Sequence, residues 1–318
     1  MRQHIDRPAH RFWPAILTVA VFAVIFLRIP FARFVDALAG ARLVPFVTVM
    51  TSFSLFYFLM DTLILCRMVR WFHGPLAYRD LLPARATTYL VSIVNTQLAQ
   101  GALALYIHRR FGTPLAEITG TVAVLILLEV TQLVVFATVG MLATLGSFPI
   151  GLFAAPAVVA IAWIALVATL RGPDAASAIG RVRGSPLAQT FRRARPGQLA
   201  LVLALKGTIL LAAIFAHRVA LGFFGIDVPT ARLLAFLPIV FMVAALPITV
   251  AHLGTSQAAW IYFFGDRAPE ASLLAYSLAS HLTFMLANGM LGLVFLPRAY
   301  AELFGEPRAT EEPSAKSV

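Results

Sequence analysis

Long apolar stretches alternate with short polar connections over most of the chain. Six of them approach the ~20 residues that a helix needs to cross a bilayer. They cover roughly 12–29, 43–65, 118–145, 149–170, 199–224 and 271–296. No segment alternates apolar and polar residues with a period of two over several residues. The pattern therefore predicts an all-α polytopic membrane protein.

Two further apolar segments, 81–107 and 233–264, are interrupted by proline, glycine and amide or hydroxyl side chains. An arm of about 15 residues is roughly 22 Å long at 1.5 Å per residue, and this is shorter than a ~30 Å hydrocarbon core. We therefore expect each segment to enter the membrane and return as a re-entrant hairpin. The predicted fold is six crossing helices plus two re-entrant hairpins; eight full transmembrane helices, two of them kinked, are the alternative.

The two interrupted segments are followed by the same series of residues. Gly101 and Gly254 each precede a Phe-Gly glycine by eleven residues, and a proline, a glutamate and a long closing helix come next. This order predicts an internal repeat, 1–147 and 148–300, inside a single membrane domain 1–300. Three crossings and one hairpin per half would make the halves inverted relative to each other. Residues 301–318 are expected to be a disordered cytoplasmic tail.

Charge is sparse and mostly basic. Charged residues make up 12% of the chain, about half the share of a soluble domain, and the net charge is +11. Arginines concentrate in the loop 171–198, which the positive-inside rule assigns to the cytoplasm. With both termini in the cytoplasm, we expect a multi-pass protein of the bacterial inner membrane. Its predicted partners are membrane lipids, because no basic and aromatic motif for nucleic acid is present.

Several ionisable residues fall inside apolar helices, where such residues usually face a cavity. Glu129 and Gln132 share one helix face at i, i+3, and His281 and Asn288 share another at i, i+7. A half-helix beginning near Thr255 would point its positive end at a phosphate or carboxylate. Together with the hairpin tips, these positions form the predicted substrate-binding set: Asn95, Gln97, Gln100, Gly101, Glu129, Gln132, Pro247, His252, Gly254, Thr255, Ser256, Gln257, His281 and Asn288.

Signatures of catalysis are missing from the sequence. It contains no Gly-rich phosphate loop, HExxH, CxxC or GxSxG motif, which are the patterns of nucleotide, metal and nucleophile sites. We expect no enzyme activity, no metal and no cofactor. Residues from separate helices could still converge, so a polytopic lipid-modifying transferase stays open as an alternative.

Four segments together resemble a known family. They are "NTQLAQGALALYIHRRFG" at 95–112, "LLEVTQLV" at 127–134, "LPITVAHLGTSQAAWIYFFG" at 246–265 and "ASLLAYSLASHLTFMLANGMLGLVF" at 271–295. Their order is similar to the transmembrane region of lysylphosphatidylglycerol synthases, a family of flippase-like integral membrane proteins. Pro247, Gly254 and Gln257 match the family pattern. His252 stands where a glycine is usual, and Val130 stands where an arginine often follows the glutamate.

The resemblance implies flippase-like translocation of an amphiphilic lipid across the inner membrane. The lipid would be an anionic phospholipid, an aminoacyl-lipid or a polyprenyl-linked species. Only residues 297–318 follow the last apolar span, so we expect no soluble aminoacyl-transferase domain. A non-catalytic subunit of a cell-envelope assembly pathway, acting with an envelope-biogenesis enzyme, is a further alternative.

Overall fold

The computed structural model describes residues 9–94, 96–144, 151, 154–171, 184–246 and 253–304. In these ranges the chain folds into helices. They are α1 (Ala9–Arg28), α2 (Phe31–Ala39), α3 (Leu43–Phe72), α4 (Tyr78–Val94), α5 (Thr96–Phe111), α6 (Leu115–Ala143), α7 (Ala154–Arg171), α8 (Pro186–Arg193), α9 (Pro196–Gly222), α10 (Thr230–Ala244), α11 (Thr255–Phe264) and α12 (Glu270–Phe304). The predicted all-α class is confirmed.

Four of these helices are long and apolar enough to cross a membrane. They are α3, α6, α9 and the first 30 residues of α12. At most 44% of each most apolar window is buried inside the bundle, and exposed apolar side chains remain on its outside. Such outward apolar surface is what lipid tails cover. The chain is therefore a helical membrane protein, while the full set of six crossings remains a prediction.

The predicted first apolar span, 12–29, corresponds to α1, and a second short helix follows it at a sharp angle. α1 ends at Arg28, and α2 continues after Pro30 at an angle of 86°. A proline disfavours helical backbone in the residue before it, which explains a break at this point. Ile25 and Ile29 then pack with Leu274 of α12, and Phe34 of α2 lies against the same cluster. Sequence reasoning predicted α1 but not α2.

Each interrupted segment forms two short packed helices. α4 and α5 have 17 and 16 residues, and α10 and α11 have 15 and 10. At 1.5 Å per residue the longest of these helices is about 25 Å. None of the four is both long enough and apolar enough to cross a membrane by itself. These lengths agree with the predicted hairpin arms. The re-entrant path itself stays a prediction.

Helix packing is reciprocal between the predicted halves. α4 packs along α12 while α10 packs along α6, and α2 lies on α12 while α8 lies on α6. The central pair is α3 with α9. An internal repeat would produce this exchange of contacts, because each hairpin then packs on the closing helix of the opposite half.

Glycines allow the closest of these contacts. A Cβ at Gly140 of α6 would lie 2.3 Å from the backbone nitrogen of Ala235 in α10. A Cβ at Gly292 of α12 would lie 2.5 Å from Leu90 Cγ and 2.8 Å from the Ala86 carbonyl oxygen, both in α4. Each closing helix therefore uses a glycine where an arm of the other half crosses it.

The segment 186–193 corrects the sequence prediction of a loop over 171–198. It forms α8, which begins with Pro186 in its first turn, a position that favours proline. Leu187 lies against α6 so closely that a Cβ at Gly120 would come within 2.2 Å of the Leu187 carbonyl oxygen. The short apolar pattern of this helix was too weak to separate it from the surrounding arginine-rich sequence.

Candidate functional site

A cavity of about 510 Å³ lies at the centre of the bundle. Eight helices line it: α3, α4, α5 and α6 from the first predicted half, and α9, α10, α11 and α12 from the second. Its walls carry both acidic and basic side chains as well as aromatic rings. The cavity is therefore the point at which both halves present polar groups to a common space.

One ion pair joins α3 to α4 at the cavity wall. Arg85 donates from Nε and Nη2 to Asp61 Oδ2, at 2.7 and 2.5 Å. The Tyr89 hydroxyl donates to the same oxygen at 3.1 Å, and the Arg85 guanidinium lies 4.9 Å from the Tyr89 ring centroid. Charged hydrogen bonds of this kind offset the loss of water around a partly buried carboxylate.

A second ion pair joins α6 to α9. Lys206 Nζ donates to Glu129 Oε2. The two side chains differ in access, since 8% of the Lys206 side chain is exposed against 48% for Glu129. The Glu129 carboxylate is therefore the exposed partner of the pair, and the Lys206 ammonium is the buried one.

The other end of the cavity is aromatic. His217 of α9 lies among rings, with centroid distances of 5.5 Å to Trp260, 5.9 Å to Phe241 and 6.4 Å to Phe53. Its Nδ1 is 2.5 Å from the hydroxyl oxygen of the buried Tyr276. Phe53 and Asp61 on α3 are eight residues apart, so about 12 Å of helix separates the aromatic end from the charged end.

Two buried amide side chains on the cavity wall have unused hydrogen-bonding atoms. Gln132 Nε2 and Asn288 Oδ1 have no partner among the residues that the structure describes, although their residues are only 4% and 3% exposed. Buried polar atoms are normally satisfied, so such exceptions point to a water or a ligand. Gln132 offers a donor and Asn288 an acceptor.

The structure brings together a part of the predicted substrate-binding set. Six of its members line the cavity: Gln100, Glu129, Gln132, Ser256, His281 and Asn288. Gly101 lies on the exposed surface of α5, and Thr255 is half-buried in the first turn of α11; neither lines the cavity. Asn95, Pro247 and His252, together with the side chain of Gln97, lie outside the described residues.

Gly254 and Gln257 belong to the start of α11, and neither is among the cavity-lining residues. The Gly254 backbone N–H donates to Gln257 Oε1 at 2.6 Å. Gly254 has a φ of +92°, which side chains other than glycine rarely accept. The hydrogen bond between these two residues caps the N-terminal end of α11. Their role here is therefore structural, whereas the sequence prediction gave them direct contact with a substrate.

Sequence reasoning missed Lys206 and the two tyrosines, Tyr57 and Tyr89. Lys206 stands alone in "LVLALKGTILL" at 201–211, and a single lysine inside such an apolar run was a usable signal. The tyrosines gave none, because aromatic residues are common in membrane helices.

The sequence has no match among protein-family models or curated proteins. The similarity to the lysylphosphatidylglycerol synthase transmembrane region therefore stays a prediction based on the quoted segments. Within the described residues, no three His, Cys, Asp or Glu side chains form a group that could hold a metal ion. The cavity wall offers ion pairs, amides and aromatic rings.

Proposed function

We propose that this protein translocates an amphiphilic lipid across the membrane, with the headgroup passing through the central cavity. The observation that carries the proposal is the depth of the charged groups. Glu129 lies fourteen residues into α6 and Lys206 ten residues into α9, so they are about 21 and 15 Å along helices that cross the membrane. Charges at such depth are costly and rare, and where they face a cavity they commonly mark the pathway of a substrate or an ion.

The polarity of the cavity fits an amphiphile. Its charged end, with Asp61, Arg85, Glu129 and Lys206, suits a polar headgroup, while its aromatic end around His217 suits apolar or partly polar groups. The same depth argues against a lipid-modifying transferase, which needs a reacting centre close to one membrane face to meet a water-soluble donor. Translocation therefore explains the arrangement better than group transfer does.

Orientation in the bacterial inner membrane is part of the proposal. The structure joins the end of α3 to the start of α6 through His73 and Thr121, and joins α8 to the same place through Arg193 and Glu117. This end carries a large group of arginines: Arg67, Arg70, Arg79, Arg109, Arg110, Arg192, Arg193 and Arg195.

At the opposite end of the bundle, three arginines pair with acids. The pairs are Arg28 with Glu270, Arg218 with Asp227, and Arg232 with Asp266. The excess of positive charge at the first end supports a cytoplasmic location for it by the positive-inside rule. Accessibility of single introduced cysteines to a membrane-impermeant thiol reagent, in a Cys66→Ala background, tests this orientation.

Lipid translocation is tested with purified protein in phosphatidylcholine and phosphatidylglycerol vesicles that contain a fluorescent NBD-phosphatidylglycerol. Dithionite bleaches only the outer leaflet, so translocation appears as loss of the protected half of the signal. We expect a protein-dependent rate well above that of empty vesicles. A rate equal to that of empty vesicles, with correct insertion shown by protease protection, would overturn the proposal.

A matched pair of variants separates the cavity from the outer surface. Ala213 of α9 lines the cavity, while Leu211, two residues away, is 55% exposed on the outside. Ala213→Trp should block translocation by filling the cavity, and Leu211→Trp should leave it intact. Gln132→Leu supplies a second cavity variant of similar size, for which we expect a several-fold slower rate.

A further inference from the structure

The two ion pairs of the cavity are not equivalent. Asp61 receives three hydrogen bonds on one oxygen, and its side chain and that of Arg85 are 15% and 20% exposed. Glu129 is instead held by Lys206, and almost half of its side chain is open. An approaching headgroup therefore meets the Glu129 carboxylate before it can reach the Lys206 ammonium.

We propose that protonation of Glu129 gates access of an anionic lipid headgroup to Lys206, so that one proton binds together with each headgroup. This inference rests on the proposed function and names the anionic class of its substrate. A carboxylate and a phosphate would compete for the same ammonium, and two anions side by side in a poorly hydrated cavity repel each other strongly. A proton on the carboxylate removes both obstacles.

The step is balanced without any other reactant. A proton taken up from the bulk solution adds to the Glu129 carboxylate, and the Lys206–Glu129 ion pair gives way to a Lys206–phosphate ion pair. The site holds one cation and one anion before and after the exchange, with a neutral acid added. Gln132 Nε2 lies on the same helix face as Glu129 and has no hydrogen-bond partner within the described ranges. It provides a hydrogen bond for a phosphate oxygen.

The charged and titratable groups near Glu129 come from the helices that line the cavity or pack on α6. α7, which packs on α6, carries no charged or titratable side chain over 154–170. α3 presents Tyr57 and Asp61, and α4 presents Arg85 and Tyr89. Asp61 and Arg85 form the less exposed ion pair, and the Tyr89 hydroxyl donates to Asp61. α9 adds Lys206 and His217, and α12 adds His281. α10 and α11 line the cavity without ionisable side chains, and α5 contributes Gln100. α8 places Arg193 on Glu117, twelve residues from Glu129.

The two histidines are the rival proton sites, since imidazole titrates near neutral pH. His217 is held by Tyr276 at the aromatic end, away from Lys206. His281 lines the same cavity on α12. The test therefore compares Glu129 with both histidines.

The experiment measures NBD-phosphatidylglycerol translocation between about pH 5.5 and 8, a range spanning ordinary histidine titration, in phosphatidylcholine vesicles with a minor share of phosphatidylglycerol. A one-proton competition changes the rate by up to about tenfold per pH unit, with faster movement at low pH. Glu129→Gln should move the lipid rapidly at every pH. Lys206→Gln should be slow at every pH. NBD-phosphatidylcholine, which has no net charge, should show little pH dependence.

Glu117→Gln is the matched control, because it changes a glutamate on the same helix that pairs with Arg193 outside the cavity. It should keep the wild-type pH profile. A direct measurement of proton uptake by the wild-type protein, on addition of phosphatidylglycerol micelles in weakly buffered solution, gives a readout that needs neither transport nor a stable Glu129 variant. We expect about one proton per protein, following from the single carboxylate that is released.

The inference would be wrong if lipid moved at a rate independent of pH, or if no proton were taken up on binding; the proposed function would then still stand. It would also be wrong if Glu129→Gln kept the pH profile and His217→Gln or His281→Gln removed it. Absence of any translocation by the wild-type protein would instead reject the proposed function.

Discussion

The Arg85 guanidinium and the Asp61 carboxylate connect the short helix α4 to the long membrane helix α3. Two guanidinium nitrogens donate to the same oxygen at 2.5 and 2.7 Å. Because the residues lie on α4 and α3, the pair fixes α4 at the height of the cavity. Its main role is therefore structural, while the more open Glu129–Lys206 pair is available for exchange.

Breaking the Arg85–Asp61 pair should be strongly destabilising. Removal of one partner from a buried pair leaves an uncompensated charge and typically costs about 3–5 kcal/mol. We expect Arg85→Met and Asp61→Leu each to lower the unfolding temperature in detergent, and the double variant to recover most of the loss. The control pair Arg110–Asp80 has side chains 39% and 35% exposed, and its single variants should cost at most ~1 kcal/mol. A double variant as unstable as the single ones would contradict the assignment.

The glycines at the helix crossings give a second prediction. Gly140→Ala and Gly292→Ala place a Cβ within 2.3 and 2.5 Å of atoms in α10 and α4, so the helices must separate. Overpacking of this kind costs typically 1–3 kcal/mol. Gly101→Ala, where a Cβ meets nothing within 4 Å, should be neutral or stabilising by up to ~1 kcal/mol because alanine favours a helix. Thermal unfolding of the three variants measures the difference; equal effects would contradict the packing.

Much of this architecture follows from hydropathy alone. The apolar spans gave the long helices, and the polar interruptions gave the divisions between α4 and α5 and between α10 and α11. Spacing along one helix also placed Gln132 beside Glu129. These features are local, because a helix face and a helix break depend on residues a few positions apart.

Relations between distant segments were harder to predict. The partner of Glu129 lies 77 residues away on α9, and nothing in a single sequence links two such positions. Gln257 illustrates another limit: a polar side chain at a helix start can face a cavity or cap its own helix, and both uses need the same residue type. α2 and α8 escaped prediction because each has fewer than ten residues, too few for a clear helical period.

Gly254 tests the geometry at the start of α11. Its φ is +92°, and an added Cβ would lie 2.9 Å from Val21 Cγ1 of α1. Gly254→Ala should therefore cost about 1–3 kcal/mol, the range for a strained backbone position. Gly197→Ala, which introduces a Cβ with open space around it, serves as the control. If Gly254→Ala were as stable as wild type, the capping geometry at the start of α11 would be wrong.

His73 predicts how stability depends on pH at the arginine-rich end. It follows the last residue of α3, and its Nε2 is 2.8 Å from Thr121 Oγ1. Burial, with a smaller contribution from Arg193, lowers the pKa of His73 from 6.5 to about 4. Below pH 6.5 the unfolded chain thus binds a proton that the folded protein excludes. The contribution of His73 to stability is full above pH 6.5 and is lost as the pH falls toward 4.

The measurement is the unfolding temperature at several pH values across this window. Wild type should lose stability from pH 6.5 to 4 more steeply than His73→Gln, which has no group to titrate. Thr190→Val removes the neighbouring hydrogen bond to Thr121 at 2.7 Å without touching the histidine. It should therefore lower stability by a similar amount at every pH. Parallel curves for wild type and His73→Gln would show that the imidazole is accessible to protons in the folded protein, and so that α8 does not shield this end of the bundle.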